Sequence, residues 1–128
     1  MPSLVRSTKY STAIVDILCS VAHATNLQLL QEVHAHYPEV SATTIHRLTA
    51  RLAERGVIGI APQAKDGSMR YDANTLPHDH FCCSVCGVLS DVYVSDKVIP
   101  LLKAEIEGCE LDGNLVIQGV CKHCKGGL

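Results

Sequence analysis

The chain has no tryptophan, one phenylalanine and four tyrosines, and nowhere in its 128 residues is there an apolar run long enough to span a bilayer. The N-terminal MPSLVRSTKY lacks the apolar core of a secretory signal, so the expected location is cytoplasmic, with no membrane partner. Strong charge of either sign is also missing. A formal charge of -2 with 47% hydrophobic residues excludes the disordered, fibrous and membrane classes, leaving an ordinary soluble protein of one domain or two very small ones. No nucleophile and base stand beside a recognisable substrate pocket, so turnover catalysis is not expected.

What the chain does have is soft, metal-binding side chains. HDHFCCSVCG, residues 78 to 87, carries two histidines and three cysteines. In a reducing compartment seven cysteines suit metal ligation better than a disulfide framework, and the odd count suggests spares. All of them but Cys19 lie after residue 81. Charge shifts at the same place: residues 1 to 77 carry seven Lys/Arg against six Asp/Glu, and residues 78 to 128 carry four against seven. The sequence therefore divides near Pro77, into 1–77 and 78–128.

The first part reads as a winged helix. Tyr10, Ile14, Ile17, Leu18 and Val21 give Lys9 to Val21 one apolar face. A second helix is expected from TNLQ, where Thr25 and Gln28 have capping-box spacing, and it ends before Pro38. A third follows, with Ser41 as N-cap, Ile45, Leu48 and Leu52 on one face, and Gly56 as the stop. Its other face shows Thr43, His46, Arg47 and Ala50, with Arg51 at the flank. Small, hydroxylated and basic residues suit the major groove, although a solvated face reads the same way. The strand candidates VIGIA and MRYDA, separated by the turn-rich PQAKDGS, add a basic hairpin. The overall charge argues against phosphate binding, but residues 41 to 70 hold Arg47, Arg51, Arg55, Lys65 and Arg70 against Glu54 and Asp66, and a dimer would double the patch. The DNA-contacting candidates are Ser41, Thr43, Thr44, His46, Arg47, Arg51, Lys65 and Arg70.

In the second part, Cys83-x-x-Cys86 and Cys121-x-x-Cys124 form two knuckles, the pattern of a structural zinc site; an iron–sulfur cluster or redox dithiol is the alternative. A core this small supplies only ~3–5 kcal/mol, whereas a tetrathiolate site couples about 10–16 kcal/mol of binding to folding. If residues 78 to 81 are extended, His78 and His80 point to one side and Asp79 to the other. Asp91 on the strand candidate VLSDVYV and Asp72 in MRYDA would add oxygen ligands to a set that suits iron(II), manganese(II) or exchangeable zinc; surface histidines with solvated aspartates are the bland alternative.

Over nearly its whole length the chain resembles the ferric uptake regulator (Fur) family of dimeric bacterial metal-responsive repressors. The resemblance is carried by RST, VAHATN, SATTIHRL, RYD, HDHFCCSVCG and GVCKHC, in that order. It implies an α+β protein, with an N-terminal winged-helix DNA-binding domain joined to a small C-terminal α/β dimerisation domain that holds one zinc per subunit at Cys83, Cys86, Cys121 and Cys124. It further implies a regulatory iron(II) or manganese(II) at His23, Asp72, His78, His80 and Asp91, one per subunit, and a palindromic double-stranded operator bound by a homodimer when metal is present. Asp at position 91, where iron-dose sensors usually have Glu, is similar to the peroxide-sensing regulators (PerR). In these, iron and hydrogen peroxide oxidise the ligand histidines corresponding to His23 and His78, and DNA is released. No small molecule other than peroxide is expected as a signal. The rival readings are a metal-dose repressor for iron, manganese or zinc, and a zinc-ribbon thiol oxidoreductase or partner-binding module without DNA binding.

Several positions depart from the family pattern. KYST lacks the arginine commonly found after the RxT element, and His46 stands where the family favours a tyrosine. GCELDGNLVIQGVC has no histidine for a third metal site. Asp79 is expected to be exposed, Cys19 to be core, Cys82 to pack, and His34, His36 and His123 to lie at the surface, while Cys109 has no assigned role. Val98, Leu101, Leu102 and Ile106 form an apolar stripe suited to a core or a dimer interface.

Overall fold

The computed structural model describes residues 8–126, so Arg6 and Ser7 of the RST element lie outside the described residues. The chain forms two compact units, divided between Thr75 and Leu76.

The first unit begins with α1 (Lys9–Val21), β1 (His23–Thr25), α2 (Asn26–Val33) and α3 (Ala42–Glu54), followed by the hairpin strands β2 (Gly59–Ala61) and β3 (Arg70–Asp72). Each helix starts on a hydroxyl side chain that accepts an otherwise unpaired backbone N–H: Thr8 from Ser11, Thr25 from Gln28 and Ser41 from Thr44. At Thr25 the box is reciprocal, because the Gln28 side chain accepts from the Thr25 N–H at 2.8 Å. Apolar spacing then packs Ile14 and Leu18 of α1, Leu29 and Val33 of α2, and Ile45, Leu48 and Leu52 of α3 into one core with Ile58 and Tyr71. The sheet has the order β1-β3-β2, antiparallel throughout. Three helices and a two-stranded wing on a small sheet make this unit a winged helix, as the sequence predicts.

Strand β1 is not anticipated by the sequence. Three residues carry no periodic signal, and HAT becomes a strand because β3 supplies its partners, His23 opposite Asp72 and Thr25 opposite Arg70. Ala22, which joins α1 to β1, takes φ 73° and ψ -48°, a region that costs a residue with a Cβ. Its N–H donates to Leu18 at 2.7 Å and its carbonyl accepts from Ala73 at 3.0 Å, and these bonds hold it there. Ala22→Gly should therefore raise the stability of this unit by about 1 kcal/mol. Thermal denaturation reads this, and an unchanged or lower midpoint would show the turn to be unstrained.

Two sequence expectations are corrected in this unit. Cys19 is exposed, since Leu18 occupies the buried side of that helical turn. Arg70 is only 8% exposed: its Nε donates to the carbonyl of Pro62 at 2.9 Å and its Nη2 to that of Gln63 at 3.1 Å, so it braces the wing from within instead of facing solvent.

The second unit contains β4 (Asp79–Cys83), β5 (Leu89–Val92), α4 (Ser95–Glu105), β6 (Val116–Gly119) and α5 (Lys122–Gly126). Strand β4 is central, antiparallel to β5 and parallel to β6, and the parallel pairing is reached through α4. Helix α4 buries none of its residues, and Leu101 is 70% exposed. The interior of this unit is mostly polar, with His78, Asp79, His80 and Cys83 buried and Leu89 the one buried aliphatic side chain among the described residues. Such a unit has little hydrophobic burial to hold it together.

Asp79, expected at the surface, is instead an internal tie. One carboxylate oxygen accepts from the N–H groups of Val94 and Ser95 at 3.0 and 2.9 Å, and the other from the Ser95 hydroxyl at 2.6 Å and the Leu115 N–H at 2.8 Å. It joins β4 to the start of α4 and the entry to β6. The Ser95 hydroxyl bond, seconded by the backbone donors, lowers the Asp79 carboxyl from its usual range to about 2. A depressed folded value means that the contribution is complete above the ordinary carboxyl range and is lost only as pH falls towards about 2. Asp79→Ala should cost roughly 3 kcal/mol, since it leaves several donors unpaired. Asp79→Asn should be little better, because an amide nitrogen cannot accept. Thermal denaturation tests this, and a wild-type midpoint for either variant would remove the tie from the account.

Candidate metal centre

The strands deliver two groups of ligand-type side chains within the second unit, and one within the first. Cys83 ends β4, Cys86 lies in the turn before β5, Cys121 follows β6 and Cys124 sits on α5. Their sulfur atoms all lie within 4.8 Å of one another, and Cys86 Sγ and Cys121 Sγ are 3.9 Å apart. A tetrahedral ion with bonds of ~2.3 Å to sulfur needs S···S edges of about 3.8 Å, so the spacing fits a tetrathiolate zinc.

The backbone is arranged for thiolates. Cys83 Sγ accepts N–H groups from Cys121 at 3.3 Å and from Val85 and Cys86 at 3.4 Å. The amides of Cys121 and then Cys86 pull the Cys83 thiol down to about 6. Cys124 moves the other way, up to about 12, through the Cys121 thiol beside it and then burial. Four sulfurs this close do not ionise together without a cation to neutralise them, and a divalent soft ion removes that conflict. At Gly119, beside Cys121, a Cβ would meet the Phe81 ring at 3.1 Å, so this approach of β6 to β4 favours glycine.

The second group lies on the same sheet. His80 of β4 is directly opposite Asp91 of β5, and His78, two residues earlier, lies on the same side. Asp91 Oδ1 is 3.1 Å from His78 Nε2 and 3.3 Å from His80 Nε2, and the two imidazole centroids are 4.4 Å apart. The opposite ring nitrogen of His78, Nδ1, donates to the carbonyl of Leu76 at 2.7 Å. Nε2 of His78 and Nε2 of His80 therefore face the same carboxylate oxygen, and a backbone carbonyl behind the ring is the usual support of a ligating histidine. The mixed nitrogen and oxygen donors fit iron(II), manganese(II) or zinc.

In the first unit, His23 and Asp72 face each other in register across β1 and β3. His23 Nε2 is 3.5 Å from Asp72 Oδ2, and the side chains are 7% and 2% exposed.

The sequence-derived DNA face lies mainly on α3. Thr43, His46, Arg47, Ala50 and Arg51 are exposed opposite buried Ile45, Leu48, Thr49 and Leu52, while Thr44 is half-buried beside the Ser41 cap. Lys65 is exposed in the wing loop, where Gly67 at φ 89° makes the turn. Ser11, in the element that departs from the family pattern, is buried and bonded to the Thr8 cap. One residue escaped the sequence reading altogether: Asn26, at the start of α2, bonds His46 at 3.0 Å and buried Thr49 at 2.8 Å. Its position one residue after a cap was the only local signal. Among the described residues no helix is long and apolar enough to cross a membrane.

The sequence profile of the ferric uptake regulator family matches residues 3–111. The peroxide-responsive repressor PerR of Staphylococcus epidermidis is 30% identical over 124 residues, covering 94% of this chain and 82% of the relative. The peroxide operon regulator of Bacillus subtilis is 29% identical over 123 residues, covering 94% and 84%. In fold, the chain is similar to the ferric uptake regulator from Francisella tularensis solved with iron, with a TM-score of 0.76 at 20% identity over 94% of this chain and 95% of that one.

Proposed function

The chain belongs to the ferric uptake regulator family of metal-responsive transcriptional regulators, and from that premise we propose that it is a metal-dependent repressor of the peroxide-sensing kind. It is a regulator and not an enzyme. Regulators of this family bind DNA and act as dimers. In this reading Ser41, Thr43, Thr44, His46, Arg47, Arg51 and Lys65 form the DNA face, and the exposed apolar residues Leu101, Val116, Ile117 and Val120 of the second unit face a second copy. Zinc at Cys83, Cys86, Cys121 and Cys124 is structural.

The observation that carries the reading is the convergence of His78 Nε2 and His80 Nε2 on one oxygen of Asp91, a nitrogen and oxygen donor set that fits a divalent cation. The first unit holds a second histidine and aspartate, His23 and Asp72. Five residues separate Asp72 from His78, a stretch of no more than about 20 Å when extended. We take all five side chains as ligands of one regulatory iron(II) or manganese(II) per subunit. Shared ligation would fix the relation between the units, and two winged helices would then meet two half-sites of a palindromic operator. By linkage, DNA tightens metal binding as much as metal tightens DNA binding.

Iron(II), when bound, supplies the means to reduce hydrogen peroxide beside the ligand imidazoles. An imidazole carbon of His23 or His78 exchanges C–H for C=O, taking one oxygen atom from hydrogen peroxide and releasing one water. The oxidised ring is a poorer ligand, the tie between the units is lost and DNA is released. The similarity to peroxide-responsive repressors and the aspartate at position 91 favour this over a metal-dose repressor for iron, manganese or zinc.

Selection from a pool of random duplexes, with and without manganese(II), tests the DNA-binding reading. The expected outcome is a palindromic sequence enriched only with metal and bound less tightly as salt rises. Equal enrichment without metal, or no enrichment, contradicts it.

A further inference from the structure

We propose that Asn26 fixes the tautomer of His46, so that the exposed tip of this side chain on α3 is a hydrogen-bond donor selecting a guanine in each half-site of the operator; this rests on the DNA-binding reading above. Thr49 lies on the inner side of α3, fully buried, with its hydroxyl 2.8 Å from Asn26 Oδ1. The carbonyls of Ile45 and His46 lie farther from that hydroxyl, both at 3.1 Å, so its single hydrogen goes to the nearer amide oxygen. With the amide oxygen facing Thr49, the amide nitrogen faces His46 Nδ1 at 3.0 Å. That nitrogen carries only hydrogens, so Nδ1 accepts, and the proton of the neutral ring lies on Nε2.

The consequence is a recognition surface of one sign. A tyrosine hydroxyl, which the family favours at this position, both donates and accepts, whereas an imidazole held at Nδ1 offers only its Nε2–H outward. His46 is exposed beside Thr43, Arg47 and Ala50. In the major groove guanine presents two adjacent acceptors, N7 and O6, whereas thymine has the single acceptor O4 beside its methyl group, adenine sets a donor beside its N7 and cytosine presents a donor. A donor-only tip therefore favours guanine. Asn26 acts through His46 and is a positioning residue.

The test uses the full chain with zinc bound. Long-range ¹⁵N–¹H spectra of the imidazoles, with the His46 signal identified by its loss in His46→Gln, report the tautomer directly. Wild type should show Nε2–H, Asn26→Ala a mixture, and Asn26→Asp a protonated Nδ1, because a carboxylate only accepts. In selection from random duplexes with manganese(II), wild type should prefer guanine at one position per half-site by about three- to ten-fold, and Asn26→Ala should lose that preference while still enriching the rest of the site. An Nδ1–H ring in wild type, or a base preference unchanged in Asn26→Ala, overturns the inference. Weakening that is uniform across sequences also overturns it, by moving the contact to phosphate. If no duplex is enriched by wild type the DNA-binding reading itself fails, an outcome separate from any tautomer result.

Discussion

Removing the zinc proposed at the four cysteines under reducing conditions, or replacing Cys121 by serine, is expected to unfold the second unit and leave the first folded. The reason lies in what each interior contains. The first unit packs Ile14, Leu18, Leu29, Val33 and Ile45, all fully buried, around three capped helices. The second buries two imidazoles, a carboxylate, a thiol and one leucine among the described residues. At ~25 cal/mol per Å² its apolar burial is small, whereas a structural zinc couples about 10–16 kcal/mol to folding. Hydrogen exchange reads both units at once. In the stripped protein the amides of β4 and β6 should lose protection while those of α1 and α3 keep theirs. Protected β4 amides in Cys121→Ser would show that the site is dispensable for the fold.

The second large effect is expected from His23→Ala. His23 is not one of the apolar core residues of the first unit, and its backbone pairing with Asp72 in β1 does not need the imidazole, so fold and zinc content should match wild type. As the proposed ligand from the first unit, however, it is required for the tie. An allosteric coupling of ordinary size gives metal about a 5–150-fold effect on DNA affinity, and the variant should lose all of it. Titration of the selected duplex with and without manganese(II) measures this. A full metal effect in His23→Ala would remove the residue from the ligand set.

Features made by neighbours in sequence were legible in the sequence. Thr25 with Gln28 and Ser41 with Thr44 declare their helix starts within four residues, and the two CxxC knuckles announce their own geometry. Features made by distant partners were hidden. Strand β1 exists because Asp72 and Arg70 lie opposite His23 and Thr25. Asp79 is buried because donors arrive from Val94, Ser95 and Leu115, and nothing near it in sequence announces them. Arg70 looked like a wing cation until the carbonyls of Pro62 and Gln63 took its guanidinium. Cys19 failed for a simpler reason: Leu18 beside it takes the interior of α1. Of the apolar stripe, Val98, Leu101 and Leu102 lie on α4 and Ile106 follows it, yet the period does not say what covers them, and within the chain none of these residues is buried.

The most direct measurement loads the zinc protein with iron(II) under anaerobic conditions, adds a small excess of hydrogen peroxide, and maps added oxygen by peptide mass spectrometry, with a manganese(II) sample alongside. One oxygen on His23 or His78, in the iron sample alone, is the result the account predicts. Untouched histidines with iron bound would contradict peroxide sensing and leave a metal-dose regulator. Oxygen confined to cysteines such as Cys82 would contradict it as well, and would place the response in thiol chemistry.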